Sequence, residues 1–452
     1  MTDLLIVNPP WTFWPGSNMR LGGPPSSVAT VAGWFRAQGA NVKVLDCMAT
    51  DLAITLGGHG AGAPLGGHVQ CGQDEIAIES SIKRAKAKIV GVSCSWTVQY
   101  ENAVMVLRAA RRAKPNGFVI AGGHDASVRP EAYFAAGFDS VVVGEGEISW
   151  DRLRHTASHE AFRTKITAEP FEDLDELPLP AWDLLPVAYY HRAGRQHHGS
   201  TLKGGVPLVT SRGCPHACSF CTVHLTMGRK WRAQSPDYVL RHLEHLEKLG
   251  FTRFHFEDDN LTHDRERWFE IMSRMEHRGW RWDTPNGVRL DHCTEKMIDR
   301  AEASGCVELR VAPESANQAT VSGIGKGLDI SSLTGVAQCC KAYKLRLSAF
   351  WVIGIPGETI EDVRHTLRTA EEMEGQYGVI PRVSIATPFP GTDLLKQCER
   401  EGWLRGRMES RTLAGATHGL GMISTPELDA QALADEFHAW NERRGYGVDK
   451  KC

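Results

Sequence analysis

The chain has 452 residues, 51 Lys and Arg against 54 Asp and Glu, a formal net charge of −3, and 42% hydrophobic residues. That length predicts two or three domains with sizeable cores, and the near-neutral balance removes the electrostatic case for a nucleic-acid partner. The N-terminus, MTDLLIVNPPW, has neither the basic start nor the long apolar stretch of a signal peptide. No window approaches the roughly 18 uninterrupted apolar residues of a membrane-spanning helix. The chain is therefore expected to be soluble and cytoplasmic. Its twelve cysteines are irregularly spaced, which predicts thiols and a metal site and not a disulfide framework.

Strand and helix signals alternate over the first 150 residues. DLLIVN (3–8), NVKVLD (41–46), KIVGVS (88–93), GFVIAG (117–122) and DSVVVG (139–144) read as strands. SSVATVAGWFRAQG (26–39), EIAIESSIKRAKA (75–87) and segments near 100–114 and 130–136 read as helices, and the Gly-rich stretch 51–72 as a surface loop. The alternation predicts a parallel sheet covered on both faces, with a flavodoxin-like strand order 2-1-3-4-5. Such sheets bind ligands beyond the carboxyl ends of their strands. Here those ends are Asn8-Pro9-Pro10, Ser93-Cys94-Ser95-Trp96, Gly122-Gly123-His124 and Gly144-Glu145-Gly146-Glu147. Small residues there let backbone approach a bulky ligand.

Residues 151–205 read as a linker, because FEDLDELPLPAWDLLP (171–186) is acidic and punctuated by proline. A second series starts at VPLVTS (206–211) and continues through FTRFHFE (251–257), RWDTPNGVRL (281–290), CVELRVA (306–312), LRLSAFWVIG (345–354) and PRVSIAT (381–387). Six strand–helix units predict a partial (β/α)6 TIM-like barrel over 206–398, with catalytic groups at the carboxyl ends of its strands. Residues 399–452 read as a small helical extension.

Directly after the first barrel strand comes SRGCPHACSFC, placing Cys214, Cys218 and Cys221 on one short loop. Thiolates suit iron–sulfur clusters. Three of them hold three irons of a [4Fe–4S] cluster and leave the fourth iron open to a ligand. Pro215 and Gly213 shape the loop, and Phe220 is placed to shield it. The alternatives are three ordinary buried cysteines, or zinc with a distant ligand such as His216 or His224.

With those residues in view, the sequence resembles the radical S-adenosylmethionine (SAM) enzymes, in particular the subgroup with an N-terminal cobalamin (B12)-binding domain. The resemblance covers most of the chain. It rests on SRGCPHACSFC, HFEDDNLTHD (255–264), LRVAPES (309–315) followed by IGKG (324–327), FWVIGIPGET (350–359) and ATPFPGTDLL (386–395). The front of the chain, LLIVNPP…KIVGVSCS…AGGH…VVVGEGE over 1–150, resembles the cobalamin domain. The resemblance implies that Cys214, Cys218 and Cys221 ligate the cluster and that SAM chelates the fourth iron. Reductive cleavage of SAM then yields methionine and a 5′-deoxyadenosyl radical that takes hydrogen from substrate. For SAM it points to Asp258 and Asp259 at the ammonium group, with helix capping as the alternative. Glu314 would meet the ribose and Arg310 the carboxylate, with a surface ion pair as the alternative for Arg310. Gly354 and Gly357 would let the loop approach adenine. For cobalamin it points to Pro9, Pro10, Ser93, Ser95, Trp96, Gly122, Gly123, His124, Gly144 and Glu145. No Asp-x-His-x-x-Gly motif is present to supply a histidine beneath cobalt, so His124 reads as a contact to the nucleotide tail or a helix cap. Trp11, Trp14 and Trp96 are candidates to pack on the corrin ring.

The implied activity is a cobalamin-dependent radical SAM methyltransferase that moves methyl from SAM, by way of cobalamin, to an unactivated carbon of a small molecule. An electron donor such as flavodoxin or ferredoxin is its implied partner. The alternatives are a cyclase or rearrangement enzyme without net methylation, a methylthiotransferase with a second cluster on Cys47, Cys71 and Cys94, and a cobalamin-binding sensor. Arg229 and Lys230 read as solvated surface or as contacts to an anionic substrate, and Arg232 as structural.

Overall fold

The computed structural model of the chain describes residues 2–13, 23–50, 53–55, 69–158, 163–194, 200–416 and 419–445. It divides into two compact units, one holding the described residues to Gly194 other than Gly23, together with Leu225–Met227, the other holding Gly23 and the described residues from 200 on apart from those three.

The first unit is built on six parallel strands: β1 (Leu4–Asn8), β3 (Val42–Asp46), β6 (Ile89–Ser93), β7 (Phe118–Gly122), β8 (Ser140–Val143) and β9 (Thr164–Thr167). They run in the order β3-β1-β6-β7-β8-β9. The first five reproduce the expected 2-1-3-4-5 arrangement, and β9 adds a sixth at the edge. These strands are apolar runs because both faces are covered. Leu5, Val7, Val90 and Val92 pack with Ile78 and Ile82 of α2 (Glu75–Ala85) and with Val106 and Leu107 of α3 (Tyr100–Ala113). On the other face Leu4, Ile6 and Ile89 pack with Val28, Ala32 and Phe35 of α1 (Ser26–Ala37). The Gly-rich stretch, expected as a surface loop, contributes β4 (Ala53–Thr55) and β5 (Val69–Cys71) to a small antiparallel sheet with β2 (Trp11–Phe13), in the order β2-β5-β4. Residues 51–52 and 56–68 of that stretch, and Trp14, lie outside the described residues. Three short helices follow the later strands: α4 (His124–Val128), α5 (Pro130–Ala136) and α6 (Trp150–Ser158).

The stretch expected as a linker is structured. It supplies β9, and its proline-rich run lies against α1: the Ala181 amide donates to Ala29 O at 2.9 Å, and Trp182 is fully buried. A Cβ on Gly33 would sit 2.9 Å from Leu179 O, so only glycine admits this contact. In α7 (Val187–Ala193) the Tyr190 hydroxyl donates to buried Asp46, and the Tyr189 hydroxyl to Thr50 O at 2.8 Å. Prolines stopped the sequence pattern from showing regular structure, yet they preset an extended chain that packs as a layer.

The second unit holds six parallel strands in sequential order: β10 (Val206–Leu208), β13 (Arg253–Phe256), β14 (Arg281–Asp283), β15 (Cys306–Glu314), β16 (Arg346–Ile353) and β17 (Ile380–Ile385). A two-stranded ribbon, β11 (Ser211–Arg212) and β12 (Arg232–Ala233), follows β10. The helices α8 (Pro236–Lys248), α9 (Arg265–Met275), α10 (Glu295–Ala303), α11 (Gln318–Gly323), α12 (Ser332–Ala342), α13 (Ile360–Tyr377) and α14 (Asp393–Glu401) alternate with the strands. Strand β14 is shorter than expected, because Pro285 and Gly287 turn the chain after Asp283. Near-perpendicular ring pairs, Phe254–Trp280 and Phe256–Trp282, lock β13 to its neighbour. The C-terminal extension contains α15 (Ser410–Ala416) and α16 (Ala430–Arg443). It is part of the core: Leu433, Phe437 and Trp440 pack on Ile353, Val363, Leu367 and Ile385.

Candidate active site

Each unit presents a candidate site at the carboxyl ends of its strands. In the second unit β10 ends and the chain runs through Thr210, Ser211 and Gly213 into the three cysteines. All three thiols are half-buried. The loop is fixed by backbone: Cys214 N to Gly228 O at 3.3 Å, Cys221 N to Cys218 O at 3.1 Å, Ser219 N to Ile324 O at 2.9 Å, and Leu394 N to Ser219 O at 2.9 Å. Phe220 packs with Ile324, Ile355 and Leu394, a lid of apolar atoms beside the thiols. Burial pushes the Cys221 thiol up to about 11, and its nearness to Cys218 and Cys214 adds to the rise. Three soft sulfur donors this close on one loop fit a cubane, which takes one thiolate per iron. His216 and His224 do not gather with them: among the described residues no three His, Cys, Asp or Glu side chains converge on a single ion.

Asp258 and Asp259 follow β13. Asp258 is buried, and its Oδ1 accepts from Thr210 N at 3.1 Å, Thr210 Oγ1 at 2.7 Å and Ser211 Oγ at 2.6 Å. Burial raises its pKa, while the Arg267 guanidinium and these hydrogen bonds pull the other way. Arg267 itself donates to Gln234 O and Thr210 O. Asp258 thus holds the strand that feeds the cysteine loop. Asp259 Oδ2 accepts from the Gly213 amide at 3.3 Å, and burial pushes its carboxyl up to about 6. Neither caps α9; Asp264 does, accepting from Arg267 N at 3.0 Å.

Two oxygens and an amide nitrogen at this strand end are buried and have no partner among the described residues: Asp258 Oδ2 and both side-chain polar atoms of Asn260. Buried polar groups are almost always satisfied. Acceptors and a donor left open together fit an α-amino-acid head group such as that of SAM. Asn260 was not singled out from sequence; its place two residues after Asp258 was the only signal.

Arg310 is not a surface ion pair. It is 2% exposed, with Nε on Glu308 Oε1 at 3.1 Å and Nη1 on Pro285 O at 3.3 Å. Glu308 also accepts from Ser348, Thr201 and Arg382. Burial opposes its charge, but Arg310 and its other donors hold the carboxyl below its usual value. Next to it, buried His255 bonds Asp283 at 2.6 Å. This polar barrel interior was not read from sequence, because it is scattered over five strands.

Glu314 ends β15 in the left-handed region, φ +69, with its carboxylate on Lys326. Gly354 (φ +80) and Gly357 (φ +96) flank the turn after β16. A Cβ on Gly354 would strike Leu433 Cδ2 at 2.2 Å, so that glycine makes room for α16; Gly357 faces open space. Glu358, missed from sequence, closes the turn: it accepts from Gly354 N at 2.9 Å, Ile355 N at 3.0 Å and Ser315 Oγ at 3.1 Å. Burial pushes it up to about 7.

The first unit's strand ends are built differently. Pro9 and Pro10 are buried, and Ser93 and Ser95 half-buried. Gly122 is nearly bare; a Cβ there would meet only Val142 at 3.7 Å. Gly123 has φ +106, and a Cβ would lie 2.5 Å from Cys94 O. Gly144 (φ +92) donates its amide to Ser127 Oγ at 3.0 Å, and Glu145 is buried. Trp96 is 50% exposed, edge-on to Trp11 at 5.9 Å. His124 is the first residue of α4, capped by Gly123, and is no cap itself. Its Nδ1 meets Thr226 Oγ1 at 2.7 Å, its Nε2 is buried without a partner among the described residues, and burial lowers its pKa. A bare glycine floor, an exposed indole and an orphaned imidazole nitrogen fit a large, flat, polar-edged ligand such as a corrinoid. Behind them Asp125, missed from sequence, binds Arg129 and Tyr133.

Of the cysteines weighed for a second cluster, Cys47 and Cys94 are fully buried in the apolar core of the sheet. Burial pushes Cys94 up to about 12 and Cys47 well above its usual value. Cys71 is half-buried in β5. Arg229 and Lys230 are exposed, and Arg232 is buried in the ribbon β11–β12.

Residues 17–154 match the family model of the B12 binding domain, and residues 208–370 match that of the radical SAM superfamily. The chain belongs to the radical SAM enzymes that carry a B12-binding domain. This radical SAM enzyme is 28% identical over 409 residues to an uncharacterised methyltransferase of Pyrococcus horikoshii, covering 86% of this chain and 82% of the relative. It is 26% identical over 482 residues to the cytidylyl-2-hydroxyethylphosphonate methyltransferase of Streptomyces wedmorensis, covering 96% and 88%. Its fold is similar to the radical SAM methyltransferase TsrM of Kitasatospora setae, solved with cobalamin and a [4Fe–4S] cluster, at TM-score 0.64 and 17% identity over 90% of this chain and 80% of that one. The cobalamin-dependent radical enzyme OxsB aligns at TM-score 0.65 and 15% identity, over 99% of this chain and 62% of that one. The cofactors of this enzyme are cobalamin, a [4Fe–4S] cluster and SAM. Among the described residues no helix is long and apolar enough to cross a membrane.

Proposed function

We propose that this radical SAM enzyme transfers a methyl group from SAM, by way of cobalamin, to a carbon of a small molecule. The observation that carries the reading is the pairing, in one chain, of a three-thiol loop braced by Asp258 and Asp259 with a glycine-floored sheet end bearing Trp96 and His124. When bound, the cluster and SAM supply the radical and cobalamin the methyl carrier.

The chain's own residues bind and orient. Cys214, Cys218 and Cys221 would hold the cluster. Asp258 Oδ2 and the Asn260 amide would receive the polar head of SAM, the position expected for Asp258 from sequence. Asp259 would keep Gly213, and so the first cysteine, in register. Arg310 is committed to Glu308, so it would reach a SAM carboxylate only by sharing that bond. Gly357 leaves open space for an adenine ring, and Phe220 excludes water from the thiols. In the first unit Pro9, Pro10, Ser93, Ser95, Gly122, Gly144 and Glu145 would line the corrinoid, Gly123 would set the backbone, and His124 Nε2 would donate to or accept from the ligand's polar edge. A low-potential donor such as flavodoxin or ferredoxin would supply the electron, and a cytoplasmic location follows from that partnership.

A second reading, cyclisation without net methylation, is favoured by two relatives that bear a cyclase name. The anaerobic magnesium-protoporphyrin IX monomethyl ester cyclase of Rubrivivax gelatinosus is 24% identical over 84% of this chain and 67% of its own length. Anaerobic turnover of the reconstituted protein with methyl-labelled SAM and a panel of small molecules separates the two. Label in the product together with 5′-deoxyadenosine is expected. Formation of 5′-deoxyadenosine with an altered but unlabelled product would replace methyl transfer by the second reading.

A further inference from the structure

The IGKG turn, residues 324–327, follows α11 and has no role in the reading above. It is packed on the back of the cysteine loop. Ile324 O takes the Ser219 amide at 2.9 Å. A Cβ on Gly325 (φ +74) would lie 2.8 Å from Ala217 O, so the two backbones touch between Cys214 and Cys218. Arg289, itself clamped by Asp291 at 3.0 and 2.8 Å, holds the turn by donating to Lys326 O at 3.1 Å and Gly327 O at 3.2 Å. Lys326 is 7% exposed and ion-paired with Glu314, which is 5% exposed. Glu314 reaches that pairing from a left-handed backbone, φ +69. A non-glycine residue held there is strained and persists where the surroundings over-determine it.

A buried ion pair is weak evidence for stability. Its placement against a metal loop suggests another use. Reducing a [4Fe–4S] cluster by one electron adds one negative charge, and fixed charges in a low-dielectric setting favour or oppose that charge strongly. We propose that Lys326 and Glu314 are positioning residues that tune the reduction potential of the cluster on Cys214, Cys218 and Cys221, Lys326 raising it and Glu314 lowering it. The inference rests on the cluster assignment.

The test is an EPR-monitored redox titration of the full chain, anaerobically reconstituted with iron and sulfide, in the absence of SAM, with dithionite as reductant. Lys326→Met is expected to lower the midpoint potential, Glu314→Gln to raise it, and Lys326→Arg to leave it near the parent value. A loss of packing alone would not move the two neutralising variants in opposite directions. No shift in either, or shifts of the same sign, overturns the proposal. Should Lys326→Met fail to take up iron, Glu314→Gln and Lys326→Arg carry the test: an unchanged potential in Glu314→Gln overturns it. If the parent protein itself takes up no cluster, it is the cluster assignment that fails.

Discussion

The two strand-end sites solve the problem of holding a cofactor by opposite means. The sheet end of the first unit is made of backbone: Gly122, Gly123 and Gly144 remove side chains, and the polar atoms on offer are few. The barrel end is made of side chains that hold one another, with Asp258 on Thr210 and Ser211, Glu358 on two amides, and Glu314 on Lys326. The difference follows from the ligands. A large rigid ring is held by shape and area, so the protein clears space. A cluster and a flexible zwitterion are held by charge and direction, so the protein fixes donors and acceptors, and must then fix the groups that fix them.

Removing one element from each side sharpens that contrast. Cys218→Ala should abolish both iron retention and reductive SAM cleavage; iron analysis and 5′-deoxyadenosine formation check this. Substantial cleavage by the variant would break the charge-held reading. On the shape-held side Gly123→Val adds a branched side chain at φ +106 against Cys94, and should destabilise the protein by about 3 kcal/mol. It should lower the melting temperature and the cobalamin content together. Retained stability would mean that the floor tolerates side chains.

Glu358 gives a pH test. Burial raises its carboxyl from the ordinary 4.5 to about 7. The folded form therefore keeps a proton that the unfolded chain loses earlier. Below the unfolded value the group costs nothing; as pH rises through the folded value, folding is increasingly opposed. Glu358→Gln, which preserves acceptors for the two amides, should remove that slope. The variant should gain about 2 kcal/mol relative to the parent between roughly pH 5 and pH 8. Melting temperatures across that range check it, and parallel curves would refute the buried carboxyl. The smallest effect is expected at Trp96. Trp96→Ala removes an exposed indole, so stability should change by less than about 0.5 kcal/mol. Cobalamin affinity should fall by about 1 kcal/mol, roughly fivefold, if the ring rests on a corrin face. Titration of the protein with cobalamin measures it.

The sequence showed what is local. The cysteine loop, the strand ends and the alternation of both units were legible because each is written in a few consecutive residues. What was not legible depends on residues far apart meeting. The Glu308–Ser348–Arg382 interior draws on three strands. Lys326, twelve residues on, gives no sign in sequence of folding back to Glu314. Gly354 looked like room for a ligand, and is room for Leu433, 79 positions away. Asn260 shows the reverse case: its address was plain, but only its burial without partners makes it informative.

The docked stretch after β8 bears on how this chain can be dissected. The B12-binding match ends at residue 154. A fragment stopped there would lose β9, leaving the amides and carbonyls of β8 as a raw sheet edge. It would also uncover the seat of Trp182 beside α1 and release Asp46 from Tyr190. Such an edge invites strand-to-strand association. The piece that behaves as a soluble module should therefore extend through α7, and a fragment cut at 154 should aggregate where one cut after Gly194 stays monodisperse on size-exclusion chromatography.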